Sequence, residues 1–91
     1  MGIWARRLRA KLPLTEPYQI RIGPLEDFGD TTYDGERFII RLDPRWGWPL
    51  VRETLCHEWA HCRVWDLPGA EDHGATWGVE YSRAYQCLVG S

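Results

Sequence analysis

The sequence predicts a small α+β domain in which strands and helices are segregated along the chain. Three observations predict it. Period-two alternation marks a short strand at Tyr18–Ile22, and Arg37–Leu42, stopped by Asp43-Pro44, is the clearest strand. Helical spacing of apolar residues marks two helices in the second half, through Val51, Leu55, Trp59 and Cys62 and through Trp77, Tyr81, Ala84 and Leu88. A further short helix precedes the strands, so the order is helix, two or three strands, helix, helix. At 91 residues, a single domain spanning 1–91 with a small core is expected. A hydrophobic share of 44% is enough for a packed fold and excludes a disordered segment.

Ile3 to Leu12 reads as an amphipathic helix, with Ile3, Trp4, Leu8 and Leu12 apolar and Arg6, Arg7, Arg9 and Lys11 basic. Pro13 and Pro17 bracket the connection to the first strand, Tyr18–Ile22, which Gly23-Pro24 ends. Leu25 to Asp34 is rich in Gly, Asp and Thr and holds a short irregular strand around Phe28 to Tyr33. Asp34-Gly35 is a tight-turn signal leading into the clearest strand, Arg37–Leu42, which Asp43-Pro44 stops. Arg45 to Leu50 reads as a loop. Val51 to Trp65 contains no Pro or Gly and reads as a helix. Asp66 to Asp72 is a loop that Pro68-Gly69 reverses, and a last helix runs from His73 or Gly74 to about Leu88.

Composition narrows the partners. The net charge is −2, so the four basic residues of the first helix read as a solvated face and a nucleic acid is not the expected ligand. Three cysteines, an odd number, do not make a disulfide framework. Cys56, Cys62 and Cys87 fall in helical segments, where a free thiol behaves as a small apolar residue. An intracellular, cytoplasmic location is therefore expected. No apolar run reaches membrane-spanning length, no signal peptide is evident, and no membrane partner is expected. The oligomeric state stays open.

His57-Glu58-Trp59-Ala60-His61 carries the chemistry. Two helical residues four apart are separated by roughly 40° of rotation and about one turn of rise, so both imidazoles project from one side. That is the H-E-x-x-H spacing with which zinc peptidases grip one Zn²⁺, the glutamate acting as general base on an attacking water. The apolar stripe lies on one side of this helix and Arg52, Glu53 and Arg63 on another, which leaves His57 and His61 on a third. A catalytic zinc takes three protein ligands. The candidates for the third are His73, Glu71, Asp72 and Glu80. His73 is favoured, as the only other histidine and one that a folded-back last helix can bring across the metal; Glu80 is next. The pattern with a histidine six positions after the motif does not apply, because Leu67 stands there.

Beyond the motif, Gly29-Asp30-Thr31, Phe38-Ile39-Ile40-Arg41-Leu42, Glu53-Thr54-Leu55-Cys56-His57-Glu58-Trp59-Ala60-His61 and His73-Gly74-Ala75-Thr76-Trp77 occur in an order that resembles the SprT-like zinc metallopeptidase domain. The resemblance covers about Phe28 to Trp77. It implies a small zincin-like domain: a short antiparallel or mixed sheet, an active-site H-E-x-x-H helix, and a C-terminal helix carrying the third ligand. It assigns His57, His61 and His73 to zinc and Glu58 to catalysis. Many members carry a cysteine-rich zinc ribbon after this domain. Here no C-x-x-C pair occurs, which suits a minimal member of the kind a phage or mobile element carries.

The activity expected is zinc-dependent hydrolysis of a protein or peptide substrate, added as a strand along the edge from Phe28 to Tyr33. Tyr18, Tyr33, Tyr81 and Tyr85 are candidate oxyanion donors, each otherwise a packing residue. Asp66 and Asp72 could orient a ligand imidazole but read better as a loop acid or helix cap. Two other readings compete: a zinc-stabilised binding module without turnover, and a zinc amidase acting on cell-wall peptides.

Overall fold

Phe38–Leu42, the segment with the clearest strand pattern, forms the centre of the sheet. A computed structural model describes residues 2–67 and 73–90. Its elements are α1 (Gly2–Lys11), β1 (Tyr18–Ile22), β2 (Gly29–Tyr33), β3 (Phe38–Leu42), one 3-10 turn (Pro44–Trp46), α2 (Trp48–Arg63) and α3 (Ala75–Leu88). The architecture is α+β, with three helices and a three-stranded mixed sheet in the order β1-β3-β2. β1 runs parallel to β3, with Tyr18 opposite Phe38 and Ile22 opposite Leu42. β2 runs antiparallel to β3, with Gly29 opposite Leu42 and Tyr33 opposite Phe38.

Alternation along β3 decides which face is covered. Phe38, Ile40 and Leu42 are buried, while Arg41 points outward and pairs with Asp30 of β2. The buried face meets α2, whose Val51, Leu55, Cys56, Trp59 and Cys62 enter the same core as Leu8 of α1 and Ala84 and Leu88 of α3. Trp59 is completely buried, and its indole N–H donates to the Leu12 carbonyl at 2.9 Å. Tyr18 packs edge-on against the same ring, at a centroid distance of 4.9 Å. All three cysteines are free thiols, two of them buried. No helix among the described residues is long and apolar enough to cross a membrane.

Two local devices hold the site-bearing segments. The β2–β3 turn forms where the Asp34 carboxylate accepts the backbone N–H groups of Glu36 and Arg37, with Gly35 at φ 95. After β3, buried Asp43 accepts from the backbone N–H of Leu25 and of Arg45 and from the Arg45 guanidinium. This ties the loop before β2 to the end of β3.

Several boundaries differ from the expectation. Ile3 is exposed and Ala5 buried in its place, because Ile3 lies five residues from Leu8, roughly 140° around the helix. The stretch expected to be a loop, Arg45–Leu50, is largely helical: Pro44–Trp46 make the 3-10 turn and α2 already begins at Trp48. Pro49 sits in the first turn of α2, where a missing N–H costs nothing. α2 ends at Arg63 rather than Trp65, closed by a tight turn from the Val64 N–H to the His61 carbonyl. α3 starts at Ala75 with Gly74 as its cap, so His73 stands just outside the helix. The Pro68-Gly69 reversal and the candidates Glu71 and Asp72 lie outside the described residues.

Candidate metal centre

With Val51, Leu55, Trp59 and Cys62 buried against the sheet, α2 has one orientation, and it turns His57 and His61 toward α3. His73, immediately before α3, completes the group. The His57 and His61 Nε2 atoms are 3.1 Å apart, those of His61 and His73 3.2 Å, and those of His73 and His57 3.1 Å. Among the described residues, these three histidines form the group able to hold a metal ion. Hydrogen bonding alone accounts poorly for such a triangle, because a proton between two of the nitrogens leaves the third unpaired. A single cation at the apex uses all three lone pairs. Tetrahedral coordination with bonds of about 2.0–2.1 Å separates ligand nitrogens by about 3.3–3.4 Å, within a few tenths of the distances here.

The electrostatics favour the ligating form. Burial pushes the His61 imidazole down to about 4, with His57 and His73 adding to the effect. His57 is pushed down by burial and by His73. Imidazoles held neutral at pH 7 keep the lone pairs that a metal requires. His73 has φ 60, a left-handed conformation that L-residues adopt at a cost of roughly 1–2 kcal/mol. This backbone is what brings an exposed residue outside α3 back over α2. Trp77, in the first turn of α3, packs against His73, His57 and His61 at centroid distances of 4.6, 5.0 and 5.5 Å. Its indole N–H donates to the His57 carbonyl. The three rings are therefore walled by one large aromatic side chain.

Glu58 is 5% exposed, and one of its oxygens lies 3.8 Å from His57 Nε2. Its other oxygen, Oε1, accepts the Thr31 hydroxyl at 2.7 Å. Burial pushes its carboxyl above the usual range, and the Thr31 hydrogen bond partly opposes that shift. Thr31 reaches Glu58 because β2 lies close to α2. A Cβ on Gly29 would sit 2.6 Å from Thr54 Cγ2 of α2 and 2.9 Å from the Arg41 carbonyl oxygen. Only glycine allows this approach.

The residues expected to act together are thus together: His57, His61, His73 and Glu58. Glu80 belongs elsewhere. It is buried between Arg63 Nε at 2.7 Å and Arg83 at 3.2 Å, where it ties α3 to the last turn of α2. Asp66 is exposed. Of the four tyrosines, Tyr18 and Tyr33 pack against Trp59 and Phe38, and Tyr85 lies beside Tyr81. Tyr81 lines a cleft of about 270 Å³ together with His57 and Glu58. Sequence reasoning assigned neither Thr31 nor Trp77 a role at the site. The glycine two positions before Thr31, on the same strand face, was the available signal of a close helix contact. No family model, curated protein or solved structure matches this chain, so the functional reading rests on the site itself.

Proposed function

We propose that this protein is a zinc-dependent peptidase, a minimal zincin-like domain resembling the SprT-like metallopeptidases, in which Glu58 is the general base. One observation carries the reading: the three imidazole nitrogens converge at 3.1–3.2 Å beside a buried carboxylate that is itself held by a hydrogen bond. A structural metal site needs a closed ligand set. Three imidazoles with a cleft next to them suit an open site, and all-imidazole ligation suits zinc.

His57, His61 and His73 would hold the ion. When bound, zinc supplies Lewis acidity, polarising a carbonyl and lowering the pKa of a water from about 16 toward about 7. The remaining steps belong to the chain. Glu58 takes a proton from the attacking water and returns it to the leaving amine. Thr31 holds Oε1, which leaves the other oxygen directed to the His57 side. Burial raises the basicity of the carboxylate, which favours proton acceptance near neutral pH. Tyr81, on the cleft wall, is the hydroxyl we assign to the developing oxyanion; a phenol is a donor at neutral pH, and burial raises its pKa further. A substrate peptide would add along the free edge of β2, one of the two outer strands of the sheet.

The test is a broad peptide library incubated with zinc-loaded protein, with and without a chelator. Cleavage that stops with the chelator and returns with zinc supports the proposal. Cleavage confined to cell-wall peptides would reassign the substrate to that class. No cleavage by a protein that holds one zinc would make it a zinc-stabilised binding module.

A further inference from the structure

The cleft beside Glu58 has chemistry that the proton-transfer scheme does not use. Its volume of about 270 Å³ falls just below the roughly 300–1,000 Å³ of sites for whole drug-sized ligands. It therefore has room for one side chain rather than an extended molecule. One wall is a single face of α2, with Leu50, Glu53 and Thr54 leading to His57 and Glu58. Phe28 and Tyr81 stand among the other lining residues, and the exposed Asp27 is also there. Among the described residues, no lysine or arginine lines the cleft. The Glu53 and Asp27 carboxylates have no ion pair or hydrogen bond among the described residues.

Position matters as much as charge. Glu53 precedes the ligand His57 by four residues, so the two share a helix face about 6 Å apart along the axis. A side chain entering next to the reacting centre has Phe28 and Tyr81 among the lining and meets Glu53 one turn along α2, with Leu50 a further turn on. Apolar lining that carries unpaired carboxylates about 6 Å from the ligand end matches an aliphatic stem ending in a cation. A leucine-like side chain would fill the walls but leave the carboxylates unanswered. An acidic side chain would be repelled.

We propose that this cleft selects a protonated substrate nitrogen on an aliphatic stem, namely a Lys or Arg side chain adjacent to the scissile bond, and that Glu53 is its specificity-determining partner. The proposal rests on the peptidase reading for its location but is tested apart from it. A free α-amino group offers the same charge without the stem, so the probes separate the two sources.

The experiment has a cleavage arm and a binding arm. In the first, end-blocked peptides that differ only by Arg, Lys, norleucine, Leu or Glu at one site are given to the zinc-loaded protein and to Glu53→Gln. Arg and Lys peptides should be cleaved about 10–100-fold more efficiently than norleucine, the range of a hydrogen bond to a charged group. Glu53→Gln should remove that advantage and leave norleucine within about threefold, consistent with losing one such interaction. In the second arm, the hydroxamates of N-acetyl-arginine and N-acetyl-norleucine are titrated into both proteins by calorimetry. The arginine compound should bind more tightly by a similar factor, and only when Glu53 is present. Equal affinities, a preference untouched by Glu53→Gln, or cleavage confined to matched peptides left with a free amino terminus would overturn the proposal. An absence of cleavage with the binding preference intact would instead sink the peptidase reading and leave the cation pocket standing.

Discussion

Thr31→Val tests whether β2 positions Glu58. The substitution keeps the shape of the side chain and removes the hydroxyl that donates to Glu58 Oε1 at 2.7 Å. A hydrogen bond to an ionised group contributes about 1.5–3 kcal/mol. Glu58 is 5% exposed, so its lost partner is poorly replaced by water; Thr31 is only half-buried, so some replacement occurs on its side. We therefore expect a coupling of about 1–2 kcal/mol between the two side chains. The assay is urea unfolding of wild type, Thr31→Val, Glu58→Ala and the double variant, all metal-free and at pH 8. Thr31→Ser keeps the hydroxyl and should recover most of the loss. A coupling below about 0.3 kcal/mol, the usual scatter for independent sites, would refute the claim that Thr31 holds the base.

Other expectations follow from neighbouring contacts. Gly29→Ala should destabilise the protein by about 1–3 kcal/mol, the range for overpacking, since the new methyl meets Thr54 at 2.6 Å and a backbone oxygen at 2.9 Å; a neutral result would mean that β2 is not pressed against α2. His73→Ala should weaken zinc binding by more than the roughly 10–100-fold typical of an outer partner, while Glu80→Ala should leave zinc affinity nearly unchanged and lower stability by breaking the contacts to Arg63 and Arg83; the reverse ranking in a competition titration would displace His73 from the site. Asp43 is held below its ordinary pKa, chiefly by the Arg45 guanidinium, so its stabilisation is present above about pH 4 and lost as pH falls below that; Asp43→Asn should lower stability at pH 7 and flatten the acid limb of the unfolding curve, and an unchanged acid limb would contradict this.

Much of the architecture was legible because its signals are local. The alternation in Tyr18–Ile22 and the apolar run Phe38–Leu42 are local strand signals, and the stripe from Val51 to Cys62 is the imprint of a helix packed on the sheet. The spacing of His57 and His61 is likewise a helical property. Placing His73 required only that a two-histidine site have a third ligand. Non-local contacts were less accessible. Nothing in the local pattern says that the edge strand carries a hydroxyl to Glu58, or that Trp77 stands over three imidazoles, because both contacts depend on how separate elements dock. The pairing of Glu80 with Arg63 has the same origin: a carboxylate on the last helix is a candidate ligand by residue type, but an arginine at the end of α2 claims it. The start of α2 was misjudged for a different reason. A proline flanked by tryptophans and glycine reads as a loop until its place in the first helical turn is known.

The central claim is that Glu58 is a base beside a three-histidine zinc site. Glu58→Gln tests it most directly, since it keeps the size of the side chain and its ability to accept from Thr31 while removing the base. Zinc content, circular dichroism and peptide cleavage should be measured on wild type and variant side by side. The account predicts one zinc per chain in both proteins, superimposable spectra, and cleavage slower by about 10²–10⁴-fold in the variant. Equal cleavage by the two proteins would contradict it.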